Sequence, residues 1–420
     1  MPSTTLEPFR IFVGWDSREE LAYQVCRHSL HSRASGPIDV NPLRQNILRE
    51  QGAYARDVDP LASTEFTFTR FLVPHIAGYE GWALFCDCDF LWLDDVLELA
   101  RLADDRYAVM CVHHDHHPPE EKKMDGRVQT QYPRKNWSSM VLYNCGHPAN
   151  AVLTPELVNS ESGLFLHRFA WLDDALVGSI PETWNWLEGW SSSPDSGSPN
   201  VIHFTRGGPW FEQWKHVEYA DLWQAECESW RTAGGEEMCA VYDFWFEECT
   251  QEDRFRGDAD FDGMLRERFL DAHTRANNGE SASWRTTPQG RVSEIILLDQ
   301  FSRNMFRGVP KAFASDALAR KLAKEALSVG ADKMLPQTQR MFFYLPLEHS
   351  ENAEDQDLSV KFFSTLDNER SRNSAVAHRE VFTRFGRFPA RNNALGRETT
   401  EEEVVFLAHP DTPQWSRPRT

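Results

Sequence analysis

Residues 80–93 read Glu-Gly-Trp-Ala-Leu-Phe-Cys-Asp-Cys-Asp-Phe-Leu-Trp-Leu, and this stretch decides the expected fold. Its apolar run lies between a glycine-containing turn and the acids Asp94 and Asp95. A short apolar run of this kind is typical of a strand buried on both faces of a mostly parallel sheet. We therefore expect residues 82–86 to form the central strand of an α/β domain.

Two carboxylates, Asp87 and Asp89, interrupt the apolar stretch directly after residues 82–86. Side chains alternate along a strand, so the two acids should project to one side while Cys86 and Cys88 project to the other. Two adjacent carboxylates repel unless a cation or protons offset their charge. Ligands of open α/β folds bind at the carboxyl ends of strands, so the pair is a candidate metal site. The alternative is that the acids only end the strand or cap the next element.

Length and charge limit the possible classes of protein. A chain of 420 residues favours two domains. A net charge of −20 argues against nucleic-acid binding and against attraction to anionic membranes. The eight cysteines include no C-x-x-C pair, so we expect reduced, mostly buried thiols. No apolar run is long enough to span a bilayer and no export signal begins the chain, so a cytoplasmic location is expected.

The pattern along the chain changes from α/β to all-α. Residues 10–15 predict a first strand, followed by a helix that Asp16 or Ser17 caps. A helix over residues 64–73 is expected to stop at Pro74. Further strands are expected at residues 107–112, 140–143 and 201–204. Helical periodicity dominates after residue 240, so we predict an α/β domain at 1–234 and an all-helical domain at 235–420.

A second motif, His-Phe-Thr-Arg-Gly-Gly-Pro-Trp at residues 203–210, completes a resemblance in the first half of the chain. Together with the Asp-x-Asp, it resembles glycosyltransferases of the family 8 kind, which are retaining enzymes with a Rossmann-like (GT-A) nucleotide-sugar fold. The resemblance implies that Asp87, Asp89 and His203 bind one divalent metal that holds the donor diphosphate. Mixed oxygen and nitrogen ligands suit Mn²⁺, or Mg²⁺ less well.

The same resemblance implies roles for other residues. Asp173 and Asp174 match the acidic motif that contacts the transferred sugar and are the candidate catalytic pair. The family's Lys before Pro-Trp is Gly208 here, and Arg206 is a candidate substitute. The cofactor-binding residues implied by the resemblance are Val13, Gly14, Asp16, Arg70, Asp87, Cys88, Ser138, Ser139 and Arg206.

Two further features near these motifs, a histidine cluster and a pair of cations, need a separate interpretation. The histidines of residues 113–117 suggest a second metal site, but a polar loop after a strand end favours solvated histidines. Arg134 and Lys135 are local cations that could serve a phosphate or the acceptor.

The second half resembles the bacterial domain of unknown function 924 family, through residues 241–246, 297–308, 344–351 and 378–392. This resemblance implies an all-helical, tetratricopeptide-like (TPR-like) fold without an established reaction. Asp299, His349 and nearby arginines could form a pocket that binds an anionic small molecule or performs hydrolysis. Alternatively, they form a buried ion-pair network that locks helices together.

The resemblance in the first half thus implies a glycosyltransferase that moves a sugar from a nucleotide-sugar donor, which we expect to be a UDP-sugar, to an acceptor with retention. The helical half would have a regulatory or binding role and could contact a protein partner. One alternative is a haloacid dehalogenase-like phosphatase with Asp87 and Asp89 as nucleophile and general acid, although Leu91 occupies a position where that family has Thr or Val. The other is a helical interaction scaffold beside a degenerate transferase domain.

Overall fold

The computed structural model describes residues 7–57, 62–114, 134, 137–191, 198–256 and 258–416. The chain divides into two compact units, Met1–Trp230 and Arg231–Thr420. The first unit contains the β-sheets, and the described part of the second unit is helical. The expected order of an α/β domain followed by a helical domain is therefore confirmed. The exact limits 1–234 and 235–420 remain a prediction.

The strands of the first unit form a six-stranded and a three-stranded sheet in the described part of the chain. The large sheet has the order β2-β1-β3-β6-β5-β7, and the small sheet has the order β4-β9-β8. The strand bounds are β1 Phe9–Gly14, β2 Ile38–Leu43, β3 Trp82–Cys86, β4 Phe90–Trp92, β5 Val109–Cys111, β6 Met140–Asn144, β7 Val177–Ser179, β8 Trp186–Leu187 and β9 Val201–His203.

Strand β3 is the expected central strand, and Ala83, Leu84 and Phe85 in it are completely buried. It pairs in parallel with β1 but antiparallel with β6, which is also antiparallel to β5. Five of the six described strands of this sheet therefore run in one direction and β6 is reversed, so the expectation of a mostly parallel sheet is confirmed. Burial on both faces gives a strand an apolar sequence whatever the direction of its neighbours, so composition could not reveal the reversal of β6.

The helices of the first unit are short apart from the first and the last. Their bounds are α1 Glu20–Arg33, α2 Gln45–Glu50, α3 Val73–Ile76, α4 Val96–Ala100, α5 Pro155–Ser160, α6 Gly163–His167 and α7 Ala220–Thr232. The predicted caps of α1 were wrong, because this helix starts at Glu20 and Glu19 occupies the capping position without a side-chain hydrogen bond.

The predicted helix over residues 64–73 was also wrong. Turns lead to a 3-10 segment at Thr69–Leu72, and helix α3 then begins at Val73. Pro74 lies in the first turn of α3, where its missing N–H costs no hydrogen bond. The proline therefore opens a helix here and does not end one.

The helices of the second unit follow one another closely, and α13 to α16 pack against their neighbours in the chain. Predicted core residues such as Val292, Ile295 and Phe301 are buried. Two segments, Phe244–Glu248 and Leu297–Phe301, are π-helical. The helix bounds are α8 Gly235–Asp243, α9 Gln251–Arg256, α10 Ala259–Asn277, α11 Pro288–Ile296, α12 Ser302–Met305, α13 Asp316–Ser328, α14 Gln337–Glu348, α15 Ala353–Phe363, α16 Glu369–Phe385 and α17 Glu401–Ala408.

All eight cysteines lie in the described part of the chain, where they are buried and form no disulfide, as the sequence predicted. A search of the described residues finds no helix with the length and apolar character needed to cross a membrane.

Candidate metal centre

The Asp-x-Asp motif lies in the link between β3 and β4. Strand β3 ends at Cys86, so Asp87 and Asp89 do not alternate on a strand as expected. The Asp87 amide donates to the Ser139 carbonyl at 2.9 Å, and the Phe204 amide donates to the Asp89 carbonyl at 3.0 Å. These main-chain hydrogen bonds fix both ends of the link between the two sheets.

His203 reaches the acids through strand pairing. Strands β4 and β9 are antiparallel, and Phe90 is the register partner of His203. Because Phe90 directly follows Asp89, this register places the imidazole beside the second carboxylate. The rings of Phe90 and His203 stack with centroids 4.4 Å apart. His203 thus meets Asp89, which lies far from it in the sequence, because β9 pairs with β4.

The three predicted metal ligands lie together. One ligand atom from each of Asp87, Asp89 and His203 lies within 4.8 Å of the other two. His203 Nε2 is 3.4 Å from Asp89 Oδ1, and the histidine is 1% exposed. The spacing suits three ligands around one cation.

The second nitrogen of His203 is held by Asn185. His203 Nδ1 lies 2.9 Å from Asn185 Oδ1, and Asn185 Nδ2 donates to Ser139 Oγ at 2.9 Å. An amide oxygen accepts from Nδ1–H, which leaves the lone pair on Nε2. Among the described residues that buried Nε2 has no hydrogen-bond partner, and it faces a carboxylate oxygen. Two electron-rich atoms so placed need a cation or a proton between them, so the residues fit a divalent metal.

Arg70 supports the first carboxylate. Its Nη1 lies 2.9 Å from Asp87 Oδ1 and donates to the Ser138 carbonyl at 2.8 Å. The guanidinium is 4.9 Å from the Phe85 ring centroid, and the side chain is 6% exposed. Arg70 lies beside Asp87 on a 3-10 segment and not on a long helix, and its predicted contact with the donor remains a prediction.

Sequence reasoning missed one buried carboxyl, Glu19. Burial and the nearby charges of Asp89 and Asp16 raise the pKa of Glu19 to about 8. Its Oε2 lies 3.9 Å from the thiol of Cys88, whose own pKa burial raises. Glu19 directly precedes the acidic Glu20 at the start of α1, and no local signal in the sequence distinguishes the two acids.

Asp16, Val13 and Gly14 lie at the end of β1. Burial alone would raise the pKa of Asp16, but hydrogen bonds from Arg18 and from the Glu65 amide lower it. Val13 is completely buried, and a Cβ added to Gly14 would overlap the Phe66 ring. Gly14 therefore permits the close packing of the first strand against Phe66.

Other predicted donor-site residues have partners within the protein. Ser138 Oγ lies 2.7 Å from His167 Nδ1. Arg206 Nη2 lies 2.9 Å from an oxygen of the buried Glu188, so the proposed substitute for the missing lysine is engaged by an acid. Asp173 and Asp174 are exposed, and Asp174 pairs with Arg134.

The histidine cluster is described only in part. His113 stacks on Trp137 with ring centroids 4.0 Å apart, and burial lowers its pKa. His114 is buried. The remaining residues of the cluster, 115–117, and Lys135 lie outside the described residues.

Comparisons with known proteins match different parts of the chain. Residues 241–411 match the family "Bacterial protein of unknown function (DUF924)", which confirms the resemblance in the second half. A solved protein of unknown function from Agrobacterium tumefaciens is 38% identical, with 41% of this chain and 96% of that chain covered and a TM-score of 0.40. The glycosyltransferase GlyE of Streptococcus pneumoniae is 14% identical, with 53% of this chain and 60% of that chain covered and a TM-score of 0.36.

A curated relative shows the family. Protein CDI of Arabidopsis thaliana is 57% identical over 231 residues, which are 54% of this chain and 89% of the relative. The chain therefore belongs to the family of Protein CDI.

Proposed function

We propose that this protein is a metal-dependent glycosyltransferase that transfers a sugar, with retention of configuration, from a nucleotide-diphosphate sugar to an acceptor. The donor that we propose is a UDP-sugar. The observation that carries the proposal is the meeting of Asp87, Asp89 and His203, with the buried Nε2 of His203 facing Asp89. The resemblance of the Asp-x-Asp and His-Phe motifs to family 8-like enzymes supports the same reaction.

The chain's own residues would hold and orient the ligands. Asp87, Asp89 and His203 would hold Mn²⁺ or Mg²⁺, which when bound supplies Lewis-acid neutralisation of the leaving diphosphate. Arg70 keeps the Asp87 carboxylate in place. The roles expected from the resemblance remain part of the proposal for Val13, Gly14, Asp16, Arg70, Cys88, Ser138, Ser139, Asp173, Asp174 and Arg206.

Isothermal titration of the full chain with UDP, in the presence and absence of Mn²⁺, tests the proposal. We expect Mn²⁺ to strengthen UDP binding to the wild type. In the presence of Mn²⁺, the Asp89→Asn variant should bind UDP about tenfold or more weakly than the wild type, because a charged ligand of the metal is removed. The exposed Asp57 offers a matched control, and Asp57→Asn should behave as the wild type.

Circular dichroism melting of each variant shows whether it folds. Equal Mn²⁺-dependent UDP affinity in the wild type and the folded Asp89→Asn variant would contradict the metal site. If Asp89→Asn weakens Mn²⁺-dependent UDP binding as expected, a thermal-shift screen of nucleotide sugars with Mn²⁺ identifies the donor.

A further inference from the structure

The second unit contains a cavity of about 880 Å³, a volume that suits a small organic molecule. Its lining includes His349, at the end of α14, and His378, in α16. This cavity is built from residues of the second unit and does not depend on the proposed transferase site.

The lining of the cavity is strongly cationic although the whole chain is acidic. Among the described residues, Glu348 is the single carboxylate that lines it. The arginines that line it are Arg254, Arg303, Arg307, Arg370 and Arg391. A concave surface of this charge attracts anions locally, whatever the net charge of the chain.

Two carboxylates near the cavity, Asp316 and Asp299, are each shared between two side chains of the lining. Asp316 Oδ2 lies 3.1 Å from Arg303 and 3.6 Å from Arg391. Asp299 is shared between Arg303, at 2.8 Å, and His349, at 2.9 Å. Burial and the neighbouring Arg303 lower the pKa of Arg391 to about 10. These cations therefore retain hydrogen-bonding capacity and positive potential for another anion.

Arg254 adds a further cation, held by neutral groups. Its guanidinium donates to the Trp245 carbonyl at 2.7 Å and to the Cys249 carbonyl at 3.0 Å. These acceptors fix the side chain without carrying a formal charge, so they do not cancel its attraction for an anion.

Aromatic rings lie beside the cationic groups. The Arg391 guanidinium is 4.9 Å from the Phe313 ring centroid and 4.7 Å from that of Phe388. Trp415 stacks on His378 at 3.5 Å. Such rings hold a guanidinium in place and offer an apolar surface to the organic part of a ligand.

His349 is oriented by a buried acid. Its Nδ1 lies 2.9 Å from Asp299 Oδ1, and Asp299 belongs to the π-helical segment Leu297–Phe301. A carboxylate that accepts from Nδ1–H leaves the lone pair on Nε2. Single-turn π-helical insertions are frequent at functional sites. Simple locking of helices would not require a wide, cation-lined cavity beside this pair.

We propose that the cavity of the second unit binds a small organic anion of the phosphate monoester or carboxylate class, whose charged group contacts Arg303 and Arg391. The apolar part of this ligand lies against Phe313 and Phe388. The second unit is then a ligand-binding module and not only a helical scaffold.

Calorimetry of the full chain with phenyl phosphate and with benzoate tests this inference, with phenol as the uncharged comparison. The titrations contain EDTA, so that a metal at the first unit cannot contribute. We expect at least one of the two anions, but not phenol, to bind the wild type. Tighter binding of phenyl phosphate would identify the ligand as a phosphate monoester, and tighter binding of benzoate would identify it as a carboxylate. Arg391→Gln should weaken that binding about tenfold or more, since a charge-assisted hydrogen bond is lost.

Two further variants keep the test decisive. The exposed Arg370 also lines the cavity, so Arg370→Gln should weaken binding severalfold even if Arg391→Gln does not fold. Arg384 pairs with Glu402, is half exposed and does not line the cavity, so Arg384→Gln should bind as the wild type. Absence of binding by both anions at millimolar concentration overturns the inference. So does equal binding of phenol, or undiminished binding by a folded Arg391→Gln or Arg370→Gln variant.

Discussion

At the scale of single residues, Asn185 fixes the orientation and the tautomer of the His203 ring. Its side chain joins the imidazole to Ser139 and is completely buried. Asn185→Ala removes the acceptor for Nδ1–H, so the ring can change tautomer and orientation. We expect Mn²⁺ affinity to fall roughly 10–100-fold, as for other groups that orient a ligand. Titration of Mn²⁺ followed by electron paramagnetic resonance measures the loss.

Asn185→Asp is the matched control for this prediction. It keeps an oxygen acceptor for Nδ1–H, so Mn²⁺ affinity should lie closer to that of the wild type than to that of Asn185→Ala. Wild-type Mn²⁺ affinity in a folded Asn185→Ala variant would show that the amide does not position the ligand.

A second residue-scale prediction concerns pH. His273 is 3% exposed, and its Nε2 lies 2.6 Å from Ser302 Oγ. Burial, with a smaller contribution from the charge of Lys311, lowers the pKa of His273 to about 4. The unfolded chain therefore binds more protons than the folded chain between roughly pH 6.5 and 4, and stability falls on acidification across this window. The loss attributable to His273 is at most about 3 kcal/mol.

Urea unfolding of the full chain at several pH values measures this effect. His273→Gln should flatten the decline in the free energy of unfolding between pH 6.5 and 4, whatever its effect on stability at neutral pH. His216 is exposed, so His216→Gln should keep the wild-type slope. An unchanged slope in His273→Gln would rule out the buried neutral histidine as its source.

At the scale of elements, two helical glycines predict opposite effects of the same substitution. A Cβ added to Gly263, inside α10, meets no atom of the described residues within 4 Å. Gly263→Ala should therefore raise the free energy of unfolding by about 0.5–1 kcal/mol, because alanine restricts the unfolded chain. A Cβ added to Gly290 would overlap the Trp284 carbonyl oxygen, a main-chain atom. Gly290→Ala should cost roughly 1–3 kcal/mol through overpacking.

Thermal and urea unfolding of the two alanine variants would compare them directly. Equal stability changes of the same sign would show that the main chain around Trp284 yields easily, contrary to the close packing seen at the start of α11.

The elements also show where sequence reasoning succeeds. Strand β3 was predicted with its observed bounds, because five apolar residues between a glycine turn and charged residues leave few alternatives. Strand β8, Trp186–Leu187, was missed because two residues carry no periodic signal. The direction of β6 and the role of Pro74 depend on tertiary connections, which local composition does not encode.

The candidate site shows the same division. Asp87 and Asp89 are separated by one residue, so a short sequence motif identified them. His203 was chosen from a resemblance, and its contact with Asp89 depends on the register of β4 against β9. Glu19 and Asn185 gain their importance from burial and from partners far away in the chain, so a single sequence could not rank them above neighbouring polar residues.

At the scale of the whole molecule, the net charge predicts that the protein does not bind nucleic acids. A net charge of −20 repels the phosphates of nucleic acids and offers no counterion release. We expect no shift of a short DNA duplex or of single-stranded RNA in a gel assay at physiological salt. Retardation that weakens as salt increases would mean that a local basic surface overcomes the overall field.

The arrangement of the chain in two units was predictable from the change in hydrophobic periodicity near residue 240. The cation-lined cavity was partly foreseen, since Asp299, His349 and the arginines were named as a pocket or an ion-pair network. Both descriptions hold in part, because the ion pairs form the wall of the cavity. Sequence could not show this, because the volume enclosed by helices depends on how they pack.

Because every cysteine is buried, the rate at which each thiol is labelled reports how often the structure around it opens. Iodoacetamide cannot reach a thiol inside the folded chain, so the rate of carbamidomethylation at each position follows local exposure and not intrinsic nucleophilicity. Peptide mass spectrometry after timed labelling would then rank regions by how often they open. Cys88, between the two acids, would report on the link from β3 to β4, while Cys239 and Cys249 would report on the beginning of the helical unit.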